Sequence, residues 1–320
     1  MMPELPREAS VPSPQDLSVV DRYGVHPILF AFGCLAFIFV TYQFGGALIA
    51  LVLIGTTNVT RENVNLVRWL TMGGQVALIF VPTLLLGRLL SRNGSEVFRL
   101  RNPSAQEITL AVIGLLALQR VFDAYSFFQD KFPIPQSLRH ILGPVKEMFD
   151  ELLRTIVRAE SVPELLVVIL IVAIVPAVVE ETMFRGLIQS AFNRALMPST
   201  AAVVTGIIFA LFHLNPFELV PLVGLGCYLG FLRYRSETLI LPVVVHGLNN
   251  LLAILAVYFH MDDSGPLLDN HAGLPEVVSM ILQALLFGAI FVISFSAYYR
   301  ATRSVVRSSD FRETTTRNEE

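Results

Sequence analysis

Two adjacent carboxylates and a guanidinium lie inside a long apolar run, Ile174-Val-Pro-Ala-Val-Val-Glu-Glu-Thr-Met-Phe-Arg-Gly-Leu-Ile188. On insertion scales, each charged group at the centre of a membrane-spanning helix costs about 2.5 to 3.5 kcal/mol. A chain that keeps three such groups in one segment is expected to use at least one of them.

Helix geometry separates the two acids, because neighbouring residues point about 100° apart. Glu181 and Arg185 stand at positions i and i+4, with the acid first, which is the better order for an ion pair. Glu180 has Phe184 at the same spacing and therefore no cation. We predict that Glu181 and Arg185 form a structural ion pair and that Glu180 is the free, reactive carboxylate.

Pro176 lies one turn before Glu180 and cannot donate a hydrogen bond to the carbonyl of Val172. This position predicts a kink or a wetter stretch of backbone just before the two acids.

The composition indicates a membrane protein. Of 320 residues, 54% are hydrophobic and only 15% are charged, whereas a soluble domain carries about 25% charged residues. The apolar runs predict an all-α, polytopic membrane protein with about eight transmembrane helices. The net charge of −3 suggests no nucleic-acid partner.

The chain divides into five predicted regions. They are a disordered N-terminal tail (1–26), N-terminal transmembrane helices with an amphipathic segment (27–162), a core with the charged stretch (163–259), a loop with the last helix (260–299) and a polar C-terminal tail (300–320). The third helix, which begins near Glu107, is marginal in apolar length, so a re-entrant segment is an alternative. Residues 138–156 have the spacing of an interfacial amphipathic helix.

The basic residues between the predicted helices favour one orientation. They follow the second, fourth, sixth and eighth helices: Arg88, Arg92, Arg99, Arg101, Arg194, Arg233, Arg235, Arg300, Arg303 and Arg307. Because basic loops face the cytoplasm, both termini are expected there.

Polar groups on two other predicted helices can join Glu180. His213 ends the run Phe209-Ala-Leu-Phe-His213, and His246 and Asn250 share one helix face at i and i+4. Titratable residues within membrane spans normally face the bundle interior or a wet cavity. An acid, two imidazoles and an amide from three helices suffice for metal-assisted or acid–base hydrolysis.

The residue types suggest roles. Glu180 can take a proton from water, and His213 can share that water or carry the proton. His246 and Asn250 can donate hydrogen bonds to an oxyanion, and each such donor stabilises the transition state by about 3 to 4 kcal/mol. Alternatively, Glu180, His213 and His246 can bind Zn²⁺ as a His₂Glu set. The sequence leaves both a metal-bound and a metal-free water open.

Simpler interpretations exist for each group taken alone. An isolated histidine within a helix is more often a packing residue, and the acids with Arg185 can form a purely structural network. Four more polar residues are interpreted as packing, interfacial or loop-facing groups: Gln75, Gln119, Glu218 and Gln283. The occurrence of polar groups on three separate helices favours function.

The ordered set Glu180-Glu181-x-x-x-Arg185, Phe209-x-x-x-His213 and His246-x-x-x-Asn250 resembles the CPBP intramembrane proteases. These include the type II CAAX prenyl endopeptidases and bacterial proteins linked to bacteriocin immunity and lysostaphin resistance. The resemblance covers about Pro163 to Tyr258.

The resemblance implies a glutamate-dependent membrane endopeptidase of all-helical fold, with Zn²⁺ or no cofactor. By position, Glu180 would be the general base, His213 would help to activate water, and His246 and Asn250 would stabilise the oxyanion. Three residues would support the site: Glu181, Arg185 and Phe209. The expected partners are membrane lipids and a membrane-associated protein or peptide, with CAAX-type processing as one such reaction. The expected location is a bacterial plasma membrane.

Two other functions stay open. One is a non-catalytic scaffold or immunity factor, although all seven family positions are intact. The other is a proton-coupled transporter that uses Glu180 as a relay. The sequence has no pair of corresponding broken helices in two halves, which would indicate an inverted-repeat transporter.

Overall fold

The computed structural model describes residues 17–56, 58–131, 136–260, 273–303 and 305, with side chains omitted for 136–141. Every regular element in these ranges is a helix, which confirms the all-α prediction. Most of the predicted N-terminal tail, the loop at 261–272 and most of the C-terminal tail lie outside the described residues.

The described residues form eleven helices, several of which contain a wider π-helical turn. They are α1 (Val19–Arg22), α2 (Pro27–Ile54), α3 (Val64–Leu90), α4 (Gly94–Val97), α5 (Ala105–Lys131), α6 (Gln136–Val157), α7 (Val162–Asn193), α8 (Pro198–Phe212), α9 (Leu219–Ser236), α10 (Ile240–Tyr258) and α11 (Leu274–Ala301).

Six of these helices are long and apolar enough to cross a membrane: α2, α3, α5, α7, α10 and α11. The chain is therefore an integral membrane protein. The prediction of about eight spans also counted α8 and α9. Helix α8 has only 15 residues, and glycines, tyrosines and two arginines dilute the apolar character of α9.

Two predictions in the N-terminal half need correction. Helix α5 is a continuous helix of 27 residues that is long and apolar enough to cross a membrane, rather than a marginal one; it continues past Arg120 and Asp123, which pair with each other. Residues 17–26 are not a disordered tail. Ser18 caps α1 by accepting from the amide of Asp21, and the Asp21 carboxylate pairs with Arg194.

The basic connecting segments lie at one end of the bundle. Ion pairs and hydrogen bonds connect the segments that follow α3, α9 and α11: Arg99 with Glu237, Arg101 with Glu107 and the Ser236 carbonyl, and Arg235 with Thr302. This common location agrees with the basic pattern of the sequence. The cytoplasmic assignment of that end stays a prediction.

Small residues allow α8 and α9 to approach closely. A Cβ atom added at Gly206 would lie 2.4 Å from the backbone nitrogen of Cys227, and one at Gly226 would lie 2.6 Å from the Gly206 carbonyl oxygen. The same face of α9 accepts hydrogen bonds from α7, from Arg185 to the Gly226 carbonyl and from Gln189 to the Gly230 carbonyl, both at 2.9 Å. Helices α7, α8 and α9 therefore form one tightly packed unit, as small-residue interfaces do in membranes.

We expect Gly206→Ala to destabilise this unit by about 1 to 3 kcal/mol, because the added methyl group meets backbone rather than a movable side chain. Thermal unfolding in detergent measures the loss. Gly288→Ala on α11 is the matched control, since a Cβ atom there meets nothing within 4 Å. Equal melting temperatures for the two variants would contradict the close packing of α8 against α9.

Candidate active site

The backbone of α7 is irregular just before the two acids. A π-helical turn spans Ile169–Ile174 and is followed by Pro176, yet the helix continues to Asn193. The side-chain amide of Asn250 donates to the carbonyl of Val172 at 3.4 Å. This is the carbonyl that a regular helix would pair with residue 176, so Asn250 replaces the donor that proline lacks.

Glu181 is the centre of a buried ionic network. Its Oε1 atom lies 2.8 Å from Arg185 Nη1 and 2.8 Å from His246 Nδ1. The side chains of Glu181 and Arg185 are both fully buried. The predicted ion pair is therefore present, and His246 belongs to the same network instead of bonding to Glu180.

Phe209 packs in the middle of this group. Its ring centroid lies 4.6 Å from the guanidinium carbon of Arg185. The rings of His213 and His246 contact it edge-on, with centroids at 4.6 and 5.7 Å. Because a guanidinium is attracted to an aromatic face, Phe209 both covers the buried charge and orients the two imidazoles.

Glu180 points away from that network. Its Oε2 atom is buried and has no hydrogen-bond partner among the described residues. The nearest candidate is His213, whose Nε2 atom lies 3.9 Å away, too far for a direct hydrogen bond. A water molecule can bond to both atoms at once, which makes this pair a site for a shared water.

His213 is positioned by the end of α8. It is the C-terminal cap, and its Nδ1 atom lies 2.8 Å from the Phe209 carbonyl oxygen. If Nδ1 carries the donated hydrogen, Nε2 of the neutral ring is an acceptor directed toward Glu180. Leu214 follows with a φ of +52°, which ends the helix.

Helix α8 is short for a membrane span. At 1.5 Å per residue, its 15 residues extend about 22 Å, less than the hydrocarbon core of about 30 Å. If α8 starts at one membrane face, we therefore expect His213 at its end to lie within the bilayer.

Glu180 and His213 line a cavity of about 290 Å³. Its other walls come from α2, α3, α7 and α8: Ile38, Phe39, Tyr42, Gln43, Gln75, Ile79, Met183, Phe184 and Phe212. The mixture of apolar rings and a few uncharged polar groups resembles the lining of a pocket for an organic ligand.

Residues 162–252 match the family model described as type II CAAX prenyl endopeptidase Rce1-like. This is a protease family, and the matched segment contains all seven positions on which the CPBP resemblance was based. The match covers less than a third of the chain. Neither a search of curated proteins nor one of solved structures gives a match.

Not all predicted residues of the Rce1-like segment meet at the cavity. His246 and Asn250 do not line it. In the structure, His246 contacts Glu181, and Asn250 contacts the Val172 carbonyl and accepts from Asn249. Their predicted oxyanion role stays a prediction, for which the Nε2 atom of His246 and the second amide hydrogen of Asn250 are the donors.

The predicted zinc set does not form in this arrangement. Among the described residues, no three side chains of His, Cys, Asp or Glu are grouped as metal ligands. The reason is local: His246 is turned toward Glu181, so Glu180 and His213 lack a third ligand. The residues present therefore do not fit a His₂Glu centre in the conformation described.

Three polar residues of the cavity wall were not singled out in the sequence. Tyr42 and Gln43 were not considered, and Gln75 was grouped with packing, interfacial or loop-facing residues. All three precede the Rce1-like segment, on α2 and α3. Two of the other polar residues in that group do pack between helices: Gln119 donates to Asn249, and Gln283 donates to the Arg120 carbonyl. The sequence does not distinguish Gln75 from Gln119 and Gln283, and the tertiary structure is needed to place Gln75 at the cavity.

We expect Arg185→Met to destabilise the protein by about 3 to 5 kcal/mol, because it leaves the fully buried Glu181 carboxylate without its cation. The double change Glu181→Gln with Arg185→Met removes both charges and should recover part of the loss. Thermal unfolding of both single variants and the double variant gives the coupling between the sites. Strictly additive losses would contradict the ion pair.

Proposed function

We propose that this chain is an intramembrane endopeptidase in which Glu180 is the general base. The observation that carries this proposal is the unpaired Oε2 atom of Glu180, 3.9 Å from His213 Nε2 at a cavity. Similarity to a protease family over residues 162–252 supports it. A carboxylate with no cation or donor of its own keeps its lone pairs available for water.

The reaction begins with a water held between Glu180 Oε2 and His213 Nε2. Glu180 removes one proton, and the water oxygen forms a bond to the carbonyl carbon of the peptide. The carbonyl π electrons move to its oxygen, which becomes an oxyanion. When the intermediate collapses, the carbon–nitrogen bond breaks and the proton on Glu180 passes to the leaving amine. No proton is gained or lost over the cycle, and Glu180 acts first as base and then as acid.

His213 has a positioning role in this scheme. The Phe209 carbonyl holds its Nδ1 atom, so the ring presents Nε2 to the water without free rotation. Phe209 itself packs against Arg185 of the ionic network. The water site and the structural network are thus in contact through a single aromatic ring.

Donors for the oxyanion are proposed to come from His246 and Asn250. His246 uses Nδ1 toward Glu181, so only Nε2 can donate, and this requires the doubly protonated ring. Asn250 has two amide hydrogens, of which one is directed at the Val172 carbonyl.

The proposed substrate is a membrane-associated protein or peptide. The matched family is described as acting on CAAX prenyl proteins, and processing of that type is the finer form of the proposal. The apolar walls of the cavity suit aliphatic or aromatic side chains next to the scissile bond. We place the enzyme in a bacterial plasma membrane with both termini in the cytoplasm.

We expect purified protein in detergent to cleave members of a fluorogenic peptide library that contains prenylated CAAX-type and unmodified sequences. Glu180→Gln and His213→Ala should each lower kcat by at least ~10²-fold, because the first removes the base and the second removes the group that holds the water beside it. Glu218→Gln, an exposed acid in the same segment, is the matched control and should retain wild-type rates.

Three outcomes would overturn the proposal. Cleavage at wild-type rates by Glu180→Gln would exclude this carboxylate as the base. Proton-coupled solute uptake into liposomes without any peptide cleavage would favour the transporter. Binding of a protein partner that persists in Glu180→Gln, again without cleavage, would favour the scaffold.

A further inference from the structure

The cavity beside Glu180 has a second polar wall, which lies outside the matched segment. Tyr42 and Gln43 on α2 and Gln75 on α3 face the same space as Glu180 and His213. The rest of that wall is apolar, with Ile38 and Ile79 among its residues. The uncharged polar side chains of α2 and α3 therefore line the same cavity as the Glu180 carboxylate.

Gln75 has an unsatisfied acceptor in this cavity. Its side chain is only 8% exposed, and its Oε1 atom has no hydrogen-bond partner among the described residues. Glu180 Oε2 shares this property. An unpaired buried acceptor destabilises a fold, so these two atoms are positions at which a ligand or a water in the cavity can donate.

The local backbone keeps Gln75 in place. It is the first residue of a π-helical turn, Gln75–Phe80, and Tyr42 lies in another, Val40–Gly46. A Cβ atom at Gly74 would lie 3.6 Å from the Tyr42 ring, so that ring packs directly beside Gln75. Single π-helical turns are frequent at functional sites, and here two of them face each other at the cavity.

A peptide backbone supplies the donor that Gln75 lacks. If a peptide bond is cleaved beside Glu180, the flanking amides enter this cavity, and each of them carries one N–H. The polar wall faces Glu180 across the space that the peptide must occupy. A water molecule could also donate to Gln75, but the apolar walls of Ile38, Phe184 and Phe212 favour an organic occupant.

We propose that Gln75 is a substrate-positioning residue whose side-chain oxygen accepts a hydrogen bond from a backbone N–H of the peptide, next to the scissile bond. This inference rests on the proposed peptidase function. It assigns to α3, which precedes the Rce1-like segment, a direct part in orienting the substrate.

The test is Gln75→Met, which keeps the side-chain length and removes the acceptor. We expect the apparent KM for the best-cleaved library peptide to rise about tenfold, with kcat nearly unchanged. The melting temperature should change little, because the substitution removes an unsatisfied acceptor but also the side-chain hydrogen bond between Gln75 and Tyr42. A merely structural glutamine would instead change the melting temperature and leave KM alone.

A modified substrate identifies which backbone N–H donates to Gln75. In the best-cleaved library peptide, the amides on either side of the scissile bond are N-methylated one at a time. One N-methylated peptide should show a raised KM with the wild type and no further rise with Gln75→Met, since both changes remove the same hydrogen bond.

Thr83→Val on the same helix is the matched control. Thr83 is fully buried, its hydroxyl is also unpaired, and it does not line the cavity. It should leave KM and the N-methyl pattern unchanged.

Three results would overturn the inference. The first is an unchanged KM in Gln75→Met while the wild type cleaves. The second is an equal effect of Gln75→Met and Thr83→Val on KM. The third is a fall in kcat alone in Gln75→Met, which would indicate that Gln75 positions the attacking water rather than the substrate. Absence of cleavage by the wild type would instead overturn the proposed function, and this inference with it.

Discussion

The shared Oε1 atom of Glu181 is the point on which the central packing depends. It accepts from Arg185 and from His246, so one fully buried carboxylate joins α7 to α10. Arg185 extends the connection to α9, where it donates to the Gly226 carbonyl. A buried ion pair requires that its remaining donors also be satisfied. The Gly226 carbonyl meets this requirement for Arg185 Nη2, whereas Arg185 Nε and Glu181 Oε2 have no hydrogen-bond partner among the described residues.

The division of labour between two adjacent acids follows from this network. Glu181 is paired with Arg185 and His246, whereas the Oε2 atom of Glu180, which points about 100° away around the helix, has no hydrogen-bond partner among the described residues. Had the arginine stood at residue 184, it would have paired with Glu180 and consumed the free carboxylate. The position of a single cation thus selects which acid is left for chemistry.

Several of these features could be predicted from the sequence, and the limits of prediction are physical. The Glu181–Arg185 pair follows from spacing within one helix, and the membrane helices follow from apolar runs. The partner of His246 does not, because it depends on how α10 rotates against α7. The same limit applies to Gln75: in an apolar helix, an amide that packs between helices and one that faces a cavity look alike. The count of about eight spans is only approximate, because an apolar run does not reveal how long its helix will be: α8 has 15 residues, and six of the described helices are long and apolar enough to span.

Asn250 shows how the irregular backbone of α7 is accommodated. Within a membrane, a carbonyl released by proline must find a partner in the protein, since lipid offers none. Pro176 releases the carbonyl of Val172, and Asn250 donates to it from α10. His246, four residues earlier on the same face, bonds to Glu181 of α7. Helix α10 therefore forms hydrogen bonds to α7 at two points, one to a buried carboxylate and one to the backbone. These two bonds fix the register between the helices, so the spacing of His246 and Asn250 has a structural cause that holds whether or not either residue also contacts an oxyanion.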